Sequence, residues 1–177
     1  MGGPLIPLPR ARADAAAEGP TTAALIGEMS ELERRYTRFA ELRQVLEHLP
    51  LDRPTPDLTI SSGFGARLDP FTGQPAFHEG IDIQGHNDEP VAATAAGIVS
   101  FAGRSGPYGN MVEIDHGMSL KTRYAHLHRI DVKPGDAVAR HQVIGAMGSS
   151  GRSSGVHLHY EVRYRDEPLD PTNFIEA

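Results

Sequence analysis

The stretch VHLHYEVRY, residues 156–164, decides the fold because its apolar and polar side chains alternate without interruption. This alternation predicts a β-strand with one face in a protein core. Residues two apart on a strand point to the same side, so His157 and His159 would project together, with Leu158 buried on the opposite side. The predicted strand therefore presents two neighbouring imidazoles, which calls for a chemical explanation.

The chain from residue 57 onward has the same character. Short β-branched runs are separated by glycine, and turn signals such as SGPYGN (105–110) and KPGD (133–136) recur at roughly ten-residue spacing. After residue 57 no helix-length segment has helical periodicity. These features predict a mostly β domain over residues 57–177, with tight turns between its strands.

The N-terminal part differs in composition. Residues 1–20 are rich in Pro, Gly and Ala, which predicts a disordered segment or linker, and residues 21–49 predict an amphipathic helix that Thr21 or Thr22 could cap. Its apolar stripe has heptad spacing with one polar position, Arg43. The stripe consists of Leu25, Met29, Leu32, Tyr36, Phe39 and Leu46. A helix packed on its own domain is one interpretation; the narrow stripe and charged flanks favour the end of a coiled coil.

Composition excludes several classes of protein. The 177 residues carry a formal net charge of −6, so the basic face of a nucleic-acid-binding protein is absent. The chain contains no cysteine, which excludes disulfides and thiolate metal sites. No apolar run is long enough to span a membrane, and residues 1–20 lack the apolar core of a signal peptide. Two interpretations remain, a cytosolic protein or a piece of a longer exported chain.

A metal ion would explain the pair His157 and His159, because two adjacent imidazoles are not readily protonated together. The alternative is a chance pair on an exposed face. The glycine–serine loop GSSGRSSG (148–155), directly before the strand, is typical of the edge of a site.

The stretch FHEGIDIQG (77–85) offers further metal ligands. Its glycines and β-branched isoleucines disfavour a helix. In an extended chain His78, Gly80 and Asp82 share a face, so His78 and Asp82 could reach one ion while Glu79 points away. Histidine and aspartate without thiolate suit Zn²⁺, and three protein ligands leave the fourth position open, as in catalytic sites.

A further functional histidine is predicted in RYAHLHRI (123–130). His126 and His128 would share a face, and only one of them is needed. His126 lies in an apolar strand, whereas His128 leads into a turn, so His126 is the favoured candidate.

Together these elements resemble the lysostaphin-type, or LytM-like, zinc metallopeptidase domain over about Ser61 to Pro171. The matching stretches are SSGFGARLDPFTGQPAFHEGIDI, EPVAATAAGIVSFAG, YGNMVEIDHG, TRYAHLHRIDVKPGDAV, VIGAMGSSGRSSGVHLHYEV and LDP. The order of the H-x-x-x-D, Y-x-H-L and H-L-H elements carries the resemblance. The loop GHNDEPVAAT has Glu-Pro before its valine, where members of the family more often have Thr-Pro. This difference affects none of the residues that match metal ligands.

The resemblance implies a fold, a cofactor and roles for individual residues. The fold would be an antiparallel β-sheet groove domain, preceded here by the N-terminal helix. His78, Asp82 and His159 match the Zn²⁺ ligands, and His126 and His157 match the two catalytic histidines. Tyr124 and Asn110 are weaker candidates for the groove, each more in keeping with a structural role.

The activity implied is that of a zinc endopeptidase of the cell wall. Its substrate would be peptidoglycan peptide, either cross-links or stem peptides, and the wording DPFTGQPAFHEGIDI favours the D-alanyl–diaminopimelate bond. A non-catalytic regulator or activator of other wall hydrolases is the alternative, which the presence of all five matching residues disfavours. The implied location is the periplasm or cell envelope, in a longer exported or membrane-anchored protein. The helix at 21–49 could mediate self-association, bind a protein partner, or cover the groove of its own domain and restrain activity.

Overall fold

The computed structural model describes residues 21–175, so the predicted linker at 1–20 lies outside the described residues. A long helix, α1 (Thr22–His48), is followed by strands. The strands are β1 (Thr59–Ser62), β2 (Gly65–Leu68), β3 (Pro75–His78), β4 (Ile81–Gln84), β5 (Pro90–Ala92), β6 (Gly97–Ser105), β7 (Gly109–Asp115), β8 (Leu120–Leu127), β9 (Arg129–Ile130), β10 (Ala137–Val138), β11 (Val143–Ala146), β12 (His157–Tyr164) and β13 (Glu167–Leu169). Short 3-10 turns at Gly106–Tyr108 and Pro171–Asn173 complete the described elements.

An eight-stranded sheet forms the body of the domain. Its strands are ordered β1-β4-β12-β8-β7-β6-β10, with β13 paired to β12. A three-stranded sheet, β5-β11-β9, and a two-stranded sheet, β2-β3, accompany it, and every recorded pairing is antiparallel. The predicted fold class, a mostly β antiparallel domain preceded by a helix, is confirmed.

Strand β12 separates the core from the functional face. Leu158, Tyr160 and Val162 are fully buried and pack with apolar residues of β4 and β7. The opposite face carries only polar side chains along the central part of the strand, namely His157, His159, Glu161 and Arg163. The alternation in the sequence therefore places a polar row directly over the hydrophobic core.

Helix α1 is capped at its start and exposed along its length. The Thr21 side-chain oxygen accepts a hydrogen bond from the Ala24 N–H at 3.3 Å, an N-cap contact. The six apolar residues of the stripe are between 46% and 73% exposed. In the described part of the chain, no helix is both long and apolar enough to cross a membrane.

The last two turns of α1 belong to the same unit as the β domain. The chain forms two compact units, the first ending at Glu41 and the second beginning at Leu42. Within the second unit the Ala96 N–H donates to the carbonyl of Glu47 at 3.0 Å, and the Arg140 guanidinium donates to the carbonyls of Leu46 and Leu49. Leu49 also packs against the core. These contacts satisfy carbonyls that the end of a helix would otherwise leave unpaired.

Candidate metal centre and groove

Three side chains converge on one point at the junction of β3, β4 and β12. His78 Nε2 lies 3.2 Å from Asp82 Oδ1 and 3.1 Å from His159 Nδ1, and those last two atoms are 2.9 Å apart. A tetrahedron with metal–ligand distances of about 2.0–2.1 Å has edges of about 3.3–3.4 Å. The three atoms therefore form nearly one face of such a tetrahedron and can hold a metal ion.

The remaining ring nitrogens fix which atom each histidine offers. A carbonyl can only accept, so His78 Nδ1–H donates to the Gly63 carbonyl at 2.7 Å and Nε2 keeps its lone pair. His159 Nε2 lies 3.0 Å from the Glu161 carboxylate, which leaves Nδ1 as the ligand atom. Each imidazole is thereby turned with its free lone pair towards the same point.

The third ligand, Asp82, is held as a carboxylate. Burial raises the pKa of this group, but the close contacts with the His159 and His78 rings outweigh burial and place the pKa well below its usual range. The second oxygen, Oδ2, lies 3.5 Å from Arg67 Nη2, and Arg67 Nη1 is anchored on Ser62 Oγ at 2.9 Å. A charged carboxylate and two imidazoles, which bind a metal in their neutral form, are a donor set suited to Zn²⁺.

The predicted extended path through residues 78–82 is wrong, although the two side chains do meet. β3 ends at His78 and belongs to the two-stranded sheet, whereas β4 begins at Ile81 in the main sheet. The chain changes sheets at Glu79 and Gly80, where the backbone passes close to β12. A Cβ atom on Gly80 would lie 2.3 Å from the Tyr160 carbonyl oxygen. Glycine is needed here for this close approach of the two backbones.

Gly80→Ala is therefore expected to destabilise the fold by about 1–3 kcal/mol, the usual cost of overpacking. It should also weaken zinc binding, because the β3–β4 junction would have to move away from β12 and carry His78 away from His159. Gly63→Ala is the matched control, since a Cβ there meets no atom within 4 Å and Gly63 binds His78 only through its carbonyl. Thermal unfolding and zinc titration of both variants check this, and equal behaviour of the two would contradict it.

His126 and His157 stand beside the metal centre. Their ring centroids are 4.8 Å apart, and the His126 ring centroid lies 5.9 Å from that of His159. His126 Nδ1–H donates to the Ser150 carbonyl at 2.8 Å, and His157 Nδ1–H donates to the Gly155 carbonyl at 2.9 Å. Both imidazoles therefore have Nε2 to offer to a water molecule or a substrate.

A β-bulge turns His126 into this site. Val112 pairs with Tyr124, and Asn110 pairs with Leu127, so an advance of two residues along β7 matches an advance of three residues along β8. His126 lies within this bulge and has a positive φ of 61°. Strict alternation would place His126 on the face of Tyr124, which is fully buried in the core. The extra residue re-aims His126 to the other face, as bulges beside active sites commonly do.

His126 is neutral at neutral pH. Burial is the largest influence and lowers the pKa of His126 to about 4, against the raising effect of the hydrogen bond to Ser150. With the proton held on Nδ1, the Nε2 atom can accept a proton. This is the state that a general base requires.

A groove of about 730 Å³ opens over the centre. All five predicted site residues line it, and its walls include Phe71, Phe77, Tyr108 and Arg152. A second depression of about 500 Å³ lies elsewhere, beside Asp52 and His141, and contains none of the five. The first groove is thus the place where a peptide could reach the metal ligands.

The other candidates from the sequence lie outside the groove. Tyr124 donates or accepts within a buried hydroxyl cluster with Thr94 at 2.9 Å, and Asn110 Nδ2 donates to the Leu127 carbonyl at 3.0 Å. Both are structural. His128 is exposed after the end of β8. Conversely, Glu161 was missed, although its position two residues after His159 on an alternating strand could have revealed it.

Comparison with known proteins agrees with this geometry. The sequence profile described as "Peptidase family M23" matches residues 76–171, more than half of the chain. The match contains all five residues of the site.

Two curated relatives are endopeptidases by name. The "DD-carboxypeptidase/endopeptidase Mpg" of Neisseria meningitidis serogroup B is 44% identical over 114 residues, which cover 64% of this chain and 26% of that protein. The "Peptidoglycan DD-endopeptidase ShyB" of Vibrio cholerae is 39% identical over 145 residues, covering 80% and 33% respectively. The chain thus spans about a quarter to a third of the length of these relatives.

Solved structures share the fold. A zinc-containing peptidase from Vibrio cholerae superposes with a TM-score of 0.62 at 38% identity, covering 70% of this chain and 38% of that one. The catalytic domain of lysostaphin from Staphylococcus simulans gives a TM-score of 0.61 at 29% identity, covering 66% and 91%. The predicted resemblance is confirmed, and the donor set, the family and the zinc-containing neighbour agree with the expected zinc cofactor.

Proposed function

Because the chain belongs to peptidase family M23, we propose that it is a zinc-dependent endopeptidase that cuts peptides of bacterial peptidoglycan. The bond is the D-alanyl–diaminopimelate cross-link, in keeping with the names of the DD-endopeptidase relatives. The observation that carries the proposal is the convergence of His78, Asp82 and His159 on one point, with His126 and His157 beside it in an open groove.

His78, Asp82 and His159 are the proposed metal ligands, and His126 and His157 the proposed catalytic residues. Bound there by two imidazoles and one carboxylate, Zn²⁺ would supply a Lewis acid and would lower the pKa of a water molecule to about 7. Asp82 offsets part of the ion's charge.

The two catalytic imidazoles handle protons and developing charge. Each holds its own proton on Nδ1 through a backbone carbonyl, so each presents Nε2 in a fixed orientation. One accepts a proton from the attacking water, and the pair delivers a proton to the leaving amine and steadies the negative charge on the carbonyl oxygen. The fixed tautomers mean that neither ring must reorganise during the reaction.

Metal removal tests the enzyme proposal. Treatment with a chelator should stop the hydrolysis of purified peptidoglycan, because it would remove the Lewis acid that the reaction needs. Added zinc should restore hydrolysis. A regulator without catalysis, the alternative function, would release no peptide in either state. Equal hydrolysis by the metal-free and the zinc-loaded chain would contradict the zinc mechanism.

The proposed substrate implies a place of action. Peptidoglycan lies in the cell envelope, so the chain is proposed to work there, in the periplasm, as one part of a longer exported or membrane-anchored protein. The chain matches 26% of one curated relative and 33% of the other, which supports the proposal that it is one part of a longer protein.

The apolar stripe of α1 is proposed to pair with another helix, from a second copy or a protein partner. Exposed apolar side chains at heptad spacing support an interaction of this kind. Deleting residues 1–41 should lower the number of chains per particle at high concentration without changing zinc affinity, because every metal ligand lies in the second unit. Light scattering and zinc titration measure this.

Deleting residues 1–50 instead should lower the free energy of unfolding by about 1–3 kcal/mol, because the packing of Leu49 against the core is lost.

A further inference from the structure

Glu161 is a carboxylate without any solvent exposure, located directly behind the metal centre. It follows His157 and His159 on the polar face of β12. Its Oε1 atom lies 3.0 Å from His159 Nε2, on the side of the ring opposite the ligand atom Nδ1. Burying a carboxylate completely is costly unless the charge is paired and hydrogen-bonded, so this position has to be stabilised by its neighbours.

Both oxygens of Glu161 are fully engaged. Oε1 also accepts a hydrogen bond from the Tyr108 hydroxyl at 2.8 Å. Oε2 accepts one from Arg163 Nη1 at 2.7 Å and lies 3.5 Å from Arg123 Nη1. Two guanidinium groups and one phenol therefore hold the carboxylate ionised and fixed in place, so that its orientation is set before a metal ion binds.

The network extends to the neighbour of a second metal ligand. Arg163 Nη1 donates to Glu79 Oε2 at 2.8 Å as well as to Glu161. Glu79 is the residue next to His78. The hydrogen bonds thus run from His159 through Glu161 and Arg163 to Glu79 at the β3–β4 junction, and connect β12 with the segment that supplies the other two ligands.

We infer that Glu161 is a positioning residue for the metal, acting through His159. It keeps the His159 proton on Nε2, aims Nδ1 at the ion, and strengthens Nδ1 as a donor by accepting the hydrogen bond from the opposite side of the ring. Arg163, Arg123 and Tyr108 hold Glu161 in that position. This inference rests on the metal site of the proposed function, but concerns affinity for the ion and not the bond that is cut.

The test is the zinc affinity of Glu161→Gln, measured by competition with a chromophoric chelator. Loss of a carboxylate behind a histidine ligand typically weakens metal binding about 10–100-fold, and we expect a loss in this range. Glutamine keeps the size of the side chain, so packing changes little. Cobalt loaded in place of zinc should also show an altered visible spectrum, because the His159 donor is weakened.

Glu113→Gln is the matched control. Glu113 is also nearly buried and pairs with Arg123 Nε at 2.7 Å, but it touches no metal ligand. The zinc affinity of Glu113→Gln should lie within about 3-fold of that of the parent chain. This change is well below the loss expected when the hydrogen-bond partner of a metal ligand is removed. Unchanged zinc affinity in Glu161→Gln, or an equal loss in both variants, would overturn the inference. Neither outcome depends on whether peptidoglycan is the substrate.

A second measurement needs no variant, in case Glu161→Gln does not fold. In the zinc-loaded parent chain labelled with ¹⁵N, the His159 Nε2 proton should give an imidazole resonance protected from exchange with water, because it is buried against Glu161. A His159 Nε2 proton that exchanges as fast as that of an exposed histidine would contradict the proposed contact.

Discussion

Replacing His78, Asp82 or His159 by alanine is expected to abolish zinc binding and hydrolysis together. Each substitution leaves two protein ligands where three converge within 3.2 Å. The loss of zinc affinity should exceed the roughly 10–100-fold change that follows removal of a ligand's hydrogen-bond partner. Metal content per chain and the rate of peptidoglycan hydrolysis are the two measurements.

His128→Ala is the control for these variants. His128 is a histidine on the same stretch of chain as His126, but it is exposed and lies outside the groove. It should keep one zinc per chain and full activity. If a ligand variant retained one zinc and hydrolysed at the parent rate, the assignment of the metal centre would be wrong.

Replacing His126 or His157 by alanine should separate metal binding from catalysis. Neither ring contributes to the three converging atoms, so zinc should remain bound. Hydrolysis should fall at least ~100-fold, the usual effect of removing a general acid or base. Zinc content and single-turnover rates of the folded variants check this. Loss of zinc from His157→Ala would show that His157 and His159 have exchanged roles.

The sequence predicts those parts of the molecule that depend on local periodicity. The alternation in 156–164 correctly places Leu158 in the core and His157 and His159 on the groove face. Gly80 and the β-branched isoleucines correctly exclude a helix at 77–85. The preference for His126 over His128 is consistent with their placement, buried at the groove and exposed, respectively.

Features that depend on long-range pairing could not be obtained in this way. The change of sheet between His78 and Asp82 is set by the contact of Gly80 with β12, about 80 residues further along the chain. The bulge that turns His126 away from the side of Tyr124 breaks the period of two from which a strand face is inferred. Glu161 acquires its partners Tyr108 and Arg123 only once the strands have assembled.

The boundary of the β domain was also set by tertiary contacts. The heptad pattern continues through Leu46 and predicts one helix over residues 21–49, ahead of a β domain at 57–177. In the structure the residues from Leu42 onward belong to the second unit, and the carbonyls of Leu46, Glu47 and Leu49 accept hydrogen bonds from Arg140 and Ala96. Periodicity reports which face of a helix is apolar but not where another part of the chain caps its end.

The most direct test of the proposed function is the mass analysis of muropeptides released from purified peptidoglycan by the zinc-loaded chain. We expect cross-linked dimers to decrease and monomers to increase, each cleaved bond adding one water, with the glycan strands intact. His157→Ala, loaded with zinc, should leave the dimers unchanged. If the zinc-loaded parent chain leaves the dimers intact, or releases only products of glycan cleavage, the proposed peptide-bond hydrolysis of cross-links is contradicted.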